Sequence, residues 1–194
     1  MEINPSEYKI LIVEDNDSLR EMLVNIFKSL YTVITAVNGK EGLEKTCSEM
    51  PHIVISDIIM PEMSGTELCL AIKQNFDTCH IPVVLLTAKT AIEHNLEGLK
   101  MGADDYITKP FNINILLSRC NNLVNNRIML QEKFSKQPQI DTLILTNNIL
   151  DKKFMDKVTE IIENEIDNVN FSVDQLVAQM GIARTKLFTK LKAI

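Results

Sequence analysis

At 194 residues the chain exceeds an average single domain of roughly 100–150 residues, so one full domain with a smaller companion is expected. Apolar residues make up 45% and charged ones 24%, ordinary globular usage that excludes a disordered or fibrous chain, and no apolar run approaches the roughly 20 residues of a transmembrane helix. The net charge of −6 argues against nucleic-acid binding by the chain as a whole. Its distribution is uneven, however: no Asp or Glu follows Asp174, and Arg184, Lys186, Lys190 and Lys192 make the last segment basic. The start, Met1-Glu2-Ile3-Asn4-Pro5, lacks a signal-peptide pattern, so a cytoplasmic location is expected. Cys47, Cys69, Cys79 and Cys120 form no C-x-x-C pair and read as reduced core thiols rather than a zinc site or disulfides.

Along the chain, short β-branched runs alternate with amphipathic stretches. Tyr8–Val13, Thr32–Ala36, His52–Ser56, Ile81–Leu86 and Asp105–Ile107 read as strands. The first helix is expected over Ser18–Leu30, burying Leu19, Leu23, Ile26, Phe27 and Leu30 and leaving Arg20 and Glu21 wet. Strands that alternate with helices imply an α/β fold, a parallel sheet covered on both faces. A long helix over about Asn112–Lys133 closes this domain, expected as residues 1–134. A polar, proline-containing linker follows over 135–148. Helical periodicity resumes in 149–194, first through Leu150, Phe154, Val158, Ile161, Ile162 and Ile166, then in Val173–Gln179 and Arg184–Ala193.

In an open parallel sheet, ligands bind beyond the carboxyl ends of the strands. There the sequence places Glu14-Asp15 after the first strand, Asp57 after the third, Thr87-Ala88 after the fourth and Lys109-Pro110-Phe111 after the fifth. Three carboxylates brought together repel unless a cation joins them, and an oxygen-only donor set favours a hard ion such as Mg²⁺. An ammonium and a hydroxyl beside them suit phosphoryl oxygens, so the constellation points to phosphoryl transfer. Each residue alone means little; an Asp at a strand end is usually a turn or cap residue, and a lone strand tyrosine is usually packing. His52, His80 and His94 share no ligand spacing and read as structural.

Together, Glu14-Asp15, Asp57-Ile58-Ile59-Met60-Pro61 with Gly65, Thr87-Ala88, Gly102-Ala103-Asp104-Asp105-Tyr106 and Lys109-Pro110-Phe111 resemble the response-regulator receiver family over Lys9 to about Lys133. The resemblance implies a flavodoxin-like, doubly wound five-stranded parallel sheet in the order 2-1-3-4-5. It implies that Asp57 accepts a phosphoryl group from a histidine kinase, and that Glu14, Asp15, Asp57 and the Ile59 backbone carbonyl hold Mg²⁺. Lys109 would pair with the acyl phosphate, Thr87 would hydrogen-bond it, Tyr106 would rotate inward as Thr87 moves, and the Lys109-Pro110 bond would be cis. Glu14 stands where many members carry Asp, which leaves a water-mediated metal contact open. A homodimer is implied through the helix-strand-helix face around Thr90–Lys133.

In the tail, Ser172 and Gln175 form a plausible capping box, Ala178 allows close helix approach, and Gly181 permits a turn between two short helices. Leu176, Val177, Ile182, Leu187 and Leu191 offer apolar faces. Phe154–Ala193 resembles the first helix-turn-helix unit of AraC-family DNA-binding domains, which implies DNA contact and transcription regulation through Arg184, Thr185, Lys186, Thr189 and Lys190. It departs from that family in Ala183, where a serine or threonine cap is usual, and in ending after one of two units. The expectation is therefore a chain truncated inside its effector domain, with a hybrid two-component sensor as one possible parent.

Two other readings compete. An aspartate-nucleophile phosphohydrolase shares the Mg²⁺, lysine and threonine, but needs a second acid two residues past the nucleophile, where Ile59 stands. A nucleotide- or flavin-binding fold would need a glycine-rich loop after the first strand, which is absent. The minor alternative for the tail is a small helical bundle with a solvated basic face. No turnover of an external substrate is expected.

Overall fold

In the first strand, β1 (Lys9–Val13), positions 10–13 are a continuous apolar run whose Ile10, Leu11 and Ile12 are fully buried. Such runs belong in a parallel sheet with both faces covered. The computed structural model describes residues 8–88, 102–136 and 149–194, apart from the side chains of 130–136. β1 is joined by β2 (Thr32–Ala36), β3 (Ile53–Asp57), β4 (Val83–Ala88) and β5 (Asp105–Lys109). The sheet is parallel, in the order β2-β1-β3-β4-β5. This is the flavodoxin-like fold, and its direction of winding reverses between β1 and β3, which opens a crevice at their carboxyl ends.

Helices α1 (Asp17–Phe27), α2 (Gly39–Glu49) and α3 (Gly65–Gln74) form the described crossovers, and α4 (Ile113–Lys136) follows β5. Positions 89–101 between β4 and β5, with His94 and part of the expected dimer face, lie outside the described residues. Leu68, Cys69 and Ile72 of α3 join Leu11, Val13, Val54 and Leu85 in one core cluster. The alternate residues Ile10, Ile12, Ile53 and Ile55 project to the other face and are equally buried.

Side-chain caps set where these helices begin. Asn16 accepts the Leu19 N–H, Asn38 accepts the Glu41 N–H, and Ser64 forms a reciprocal capping box with Glu67. α1 therefore starts at Asp17 and closes at Phe27, where the Leu30 and Tyr31 amides both turn back to the Phe27 carbonyl. This corrects the longer helix expected from periodicity. Arg20 is also corrected: only 17% of its side chain is exposed, because its guanidinium folds back onto the loop before the helix. Three cysteines are buried as expected, whereas Cys47 is exposed. His52 is structural, its Nδ1 accepting the Lys9 N–H at 3.0 Å.

The strands outrun their expected ends. β3 includes Asp57, paired with Leu86, and β4 reaches Ala88, paired with Lys109. A ladder is made by backbone, so polar residues extend a strand when a neighbour is there to bond them. At the other end β4 starts only at Val83, since Pro82 has no N–H to give.

Backbone proximity divides the chain into Met1–Asn126 and Arg127–Ile194. Ser135 and Lys136, read from their polarity as linker, continue α4; positions 137–148 lie outside the described residues. The second unit carries α5 (Ile149–Asn164), α6 (Val173–Met180) and α7 (Arg184–Ala193). Ser172 and Gln175 make the expected capping box, and Gly181 takes a left-handed φ of 69°, which glycine adopts without strain. Ala183 gives α7 no side-chain cap. Phe154, Val158, Ile161, Leu176, Met180 and Leu187 form the interior, while Leu191, expected to pack there, is 39% exposed.

Candidate functional site

Three strand ends converge at the crevice. Glu14 follows β1 directly, and its N–H still bonds the Ala36 carbonyl at 3.1 Å, so the ladder holds its backbone. Asp57 closes β3 and Lys109 closes β5. One oxygen from each of Glu14, Asp15 and Asp57 lies within 4.8 Å of the others. Lys109 Nζ reaches in from β5 to stand 3.0 Å from Glu14 Oε2 and 3.0 Å from Asp57 Oδ1.

The environments of the carboxylates differ. Glu14 is 1% exposed, and burial pushes its carboxyl above the usual range; the hydrogen bond and charge of Lys109 oppose that rise and the charge of Asp57 adds to it. Its Oε1 accepts the Asn16 N–H at 3.3 Å. Asp15 is exposed, open to an incoming ion. Asp57 Oδ1 accepts the Ile58 N–H at 2.8 Å in addition to its contact with Lys109. Gly65 explains itself here: a Cβ would collide with the Asp57 carbonyl oxygen, and the Gly65 N–H bonds the Ile58 carbonyl at 3.0 Å. The first residue of α3 thus lies against the backbone that carries Asp57.

Around this centre, Thr87 is buried on β4 and its hydroxyl donates to the Ala88 carbonyl at 3.1 Å. Tyr106 is half-buried against the α3 core cluster, and burial raises its phenol pKa. Lys109-Pro110 is cis. Ile59, two residues past Asp57, is 71% exposed. Asp104 accepts the Val83 N–H at 2.7 Å and pairs with Lys73 at 2.7 Å, tying the start of β4 to α3 and to the loop before β5.

A hard divalent ion fits this donor set, since all three side chains offer carboxylate oxygens and no soft ligand is present in the cluster. Mg²⁺ would be held by Glu14, Asp15 and Asp57.

The family model described as the response regulator receiver domain matches residues 10–121. The chain belongs to the response-regulator receiver family. It is 42% identical over 184 residues to a histidine kinase of Formosa agariphila, an alignment covering 95% of this chain and 13% of that protein. It is 33% identical over 172 residues to the response regulator ArlR of Staphylococcus aureus, covering 88% of this chain and 73% of ArlR. A putative response regulator from Chloroflexus aurantiacus has a similar structure, with a TM-score of 0.58 and 32% identity over 63% of this chain and 99% of that one. Against the Formosa kinase, then, the chain spans about an eighth of the relative's length. Receiver domains take phosphate from histidine kinases and bind Mg²⁺ through acidic residues; the cluster available here is Glu14, Asp15 and Asp57.

In the second unit, Arg184, Thr185, Lys186 and Thr189 are exposed on α7. Lys190 is not: it is 2% exposed and its ammonium lies 2.5 Å from Asp151 Oδ1 on α5. Its expected outward role is corrected, because a buried carboxylate on the facing helix draws it inward. Arg184 pairs with Asp174 at 3.0 Å and lies over the Phe188 ring, 5.8 Å from its centroid. Two contributors escaped the sequence reading, Arg20 at the acidic loop and Asp151 beneath α7. Charge was the available signal for both, but nothing in the residue order tells which way a side chain turns.

Proposed function

We propose that this chain is the receiving end of a two-component system, a phosphorylation switch whose acceptor is Asp57. The observation that carries this is Lys109, held 3.0 Å from Asp57 Oδ1 within a three-carboxylate cluster at the carboxyl ends of the strands. An Asp57 oxygen attacks the phosphorus of a phosphohistidine; the P–N bond breaks, its electron pair stays on the imidazole nitrogen, and that nitrogen takes up a proton from solvent. Glu14, Asp15 and Asp57, with the Ile59 carbonyl, would hold Mg²⁺, which when bound would supply positive charge to offset that of the phosphoryl oxygens. Lys109 supplies a fixed positive charge to the acyl phosphate. Thr87 turns its hydroxyl from Ala88 toward it, and Tyr106 follows inward.

No acid stands two residues beyond Asp57 to activate water, so the phosphoryl group persists and the chain acts as a switch without turnover of an external substrate. Intact-protein mass after incubation with a small phosphodonor tests this. One Mg²⁺-dependent phosphoryl adduct, absent from Asp57→Ala, is the expected result; steady hydrolysis of the donor, or no adduct, defeats it.

For the second unit we propose AraC-type DNA binding coupled to dimerisation. Support comes from the α6-turn-α7 arrangement about Gly181 and the exposed Arg184, Thr185, Lys186 and Thr189. The long alignment to a histidine kinase extends beyond the receiver match and favours a hybrid sensor as the parent. Phosphorylation then raises the population of dimers, and two reading helices gain avidity on paired sites. Sedimentation with and without a phosphoryl mimic tests the coupling; an unchanged monomer fraction would defeat it.

A further inference from the structure

The loop from Glu14 to Asp17 poses an electrostatic problem that the acceptor chemistry does not solve. It carries three carboxylates in four residues, two of them in the metal cluster, at the point where β1 hands over to α1. Lys109 compensates Glu14 and Asp57 from across the sheet, but does nothing for the backbone of the loop. That backbone is held by Arg20. Its Nη1 donates to the Glu14 carbonyl at 2.7 Å, its Nη2 pairs with Asp17, and its own N–H bonds the Asn16 carbonyl at 2.9 Å. The guanidinium is rigid and planar, so two contacts made from its two nitrogens fix the direction of the Glu14 peptide as well as its place.

We propose that Arg20 is a positioning residue for the divalent-metal site, acting through the Glu14 carbonyl and the Asp17 carboxylate to hold Glu14 and Asp15 in ligating geometry. This rests on the reading of the acidic cluster as a Mg²⁺ site. The role has a sign that separates it from a simple charge effect. By Coulomb's law, removing a cation from beside a cation site tightens Mg²⁺ binding. Loss of a support that orients the ligands weakens it, typically 10–100-fold for groups one bond removed from the metal's own ligands. Asp17 already neutralises the guanidinium, so geometry outweighs charge.

The test is Mg²⁺ titration by calorimetry of the full chain, wild type against Arg20→Met, which keeps an apolar stem, and Arg20→Lys, which keeps the charge but loses the fork. Expected are a Mg²⁺ affinity at least about tenfold weaker in Arg20→Met and a lesser weakening in Arg20→Lys. At saturating Mg²⁺, the rate of Asp57 phosphorylation stays within about twofold of wild type, as for a loss confined to binding. Unchanged or tighter binding in Arg20→Met overturns the proposal even if its unfolding midpoint drops, since that is what a purely structural arginine would give. Full recovery in Arg20→Lys overturns it too, since a single ammonium contact would then serve as well as the planar fork. Should Arg20→Met fail to fold, Arg20→Lys decides alone: wild-type affinity defeats the role and weaker affinity supports it. A wild-type chain that binds no Mg²⁺ removes the metal reading itself, and this inference with it.

Discussion

Ile59 shows how one side chain sets a lifetime. It stands two residues past the acceptor with its side chain largely in solvent, so substitution there costs the fold little. Ile59→Asp places a carboxylate where it can orient water toward the acyl phosphate, and loss of phosphoryl label from Asp57 should accelerate at least about tenfold. An unchanged decay would mean that access, rather than a missing base, protects the phosphate. Glu14 carries a second prediction at this scale. Burial raises its folded carboxyl above the 4.5 of an unperturbed one, so above that pH the folded state retains a proton that the unfolded chain has released. The resulting stability is complete below 4.5 and is lost as pH rises through the folded value. At pH 7 without Mg²⁺ the carboxyl therefore costs stability relative to an uncharged side chain, and Glu14→Gln should raise the urea midpoint above wild type, the gap closing as pH falls toward 4.5. Residue types at the site were legible in the sequence because each closes an apolar run. The directions of Arg20 and Lys190 were not, since a long flexible stem lets a charged head turn toward any buried carbonyl or carboxylate that tertiary structure brings near.

At the scale of elements, strand existence was plain from β-branched runs, but the carboxyl ends of β3, β4 and β5 were set by pairing partners no local pattern contains. The residues that do the chemistry are the ones a hydrophobicity rule assigns to loops. Their place in the ladder explains their precision, because a side chain on hydrogen-bonded backbone wanders less than one on a loop. Helix ends followed the caps, which is why α6 began where Ser172 and Gln175 required and α1 stopped before Leu30. Between α5 and α7 the buried Lys190–Asp151 pair gives an element-scale prediction. Asp151→Asn takes the facing carboxylate from an ammonium with little exposure, and should destabilise the helical unit by about 3–5 kcal/mol in urea denaturation, whereas Asp151→Leu with Lys190→Met should recover most of that loss. Equal losses in single and double variants would mean that the pair does more than balance charge.

For the molecule as a whole, strands alternating with helices were enough to specify a covered parallel sheet, while the order β2-β1-β3-β4-β5 came through family resemblance, since loop lengths alone do not say which neighbour a strand selects. That order collects the chemistry on one rim, and binding there feeds directly into stability. Among the described residues no helix is long and apolar enough to cross a membrane. Mg²⁺ at 100 times its dissociation constant should stabilise the sheet unit by about 2.7 kcal/mol, read as a shift in its urea midpoint, and Asp15→Asn should abolish the shift.

Parallel strands leave the opposite rim chemically idle. The turn from α1 into β2 lies there, and Lys28 and Ser29 are exposed in it. Five residues of strand, about 17 Å at 3.3 Å each, separate that rim from the phosphoryl group. A fluorescent reporter grafted at Lys28-Ser29 would ride on the same rigid sheet as the acceptor while leaving the crevice open to the kinase, so the chain could serve as the body of a sensor for its own signal.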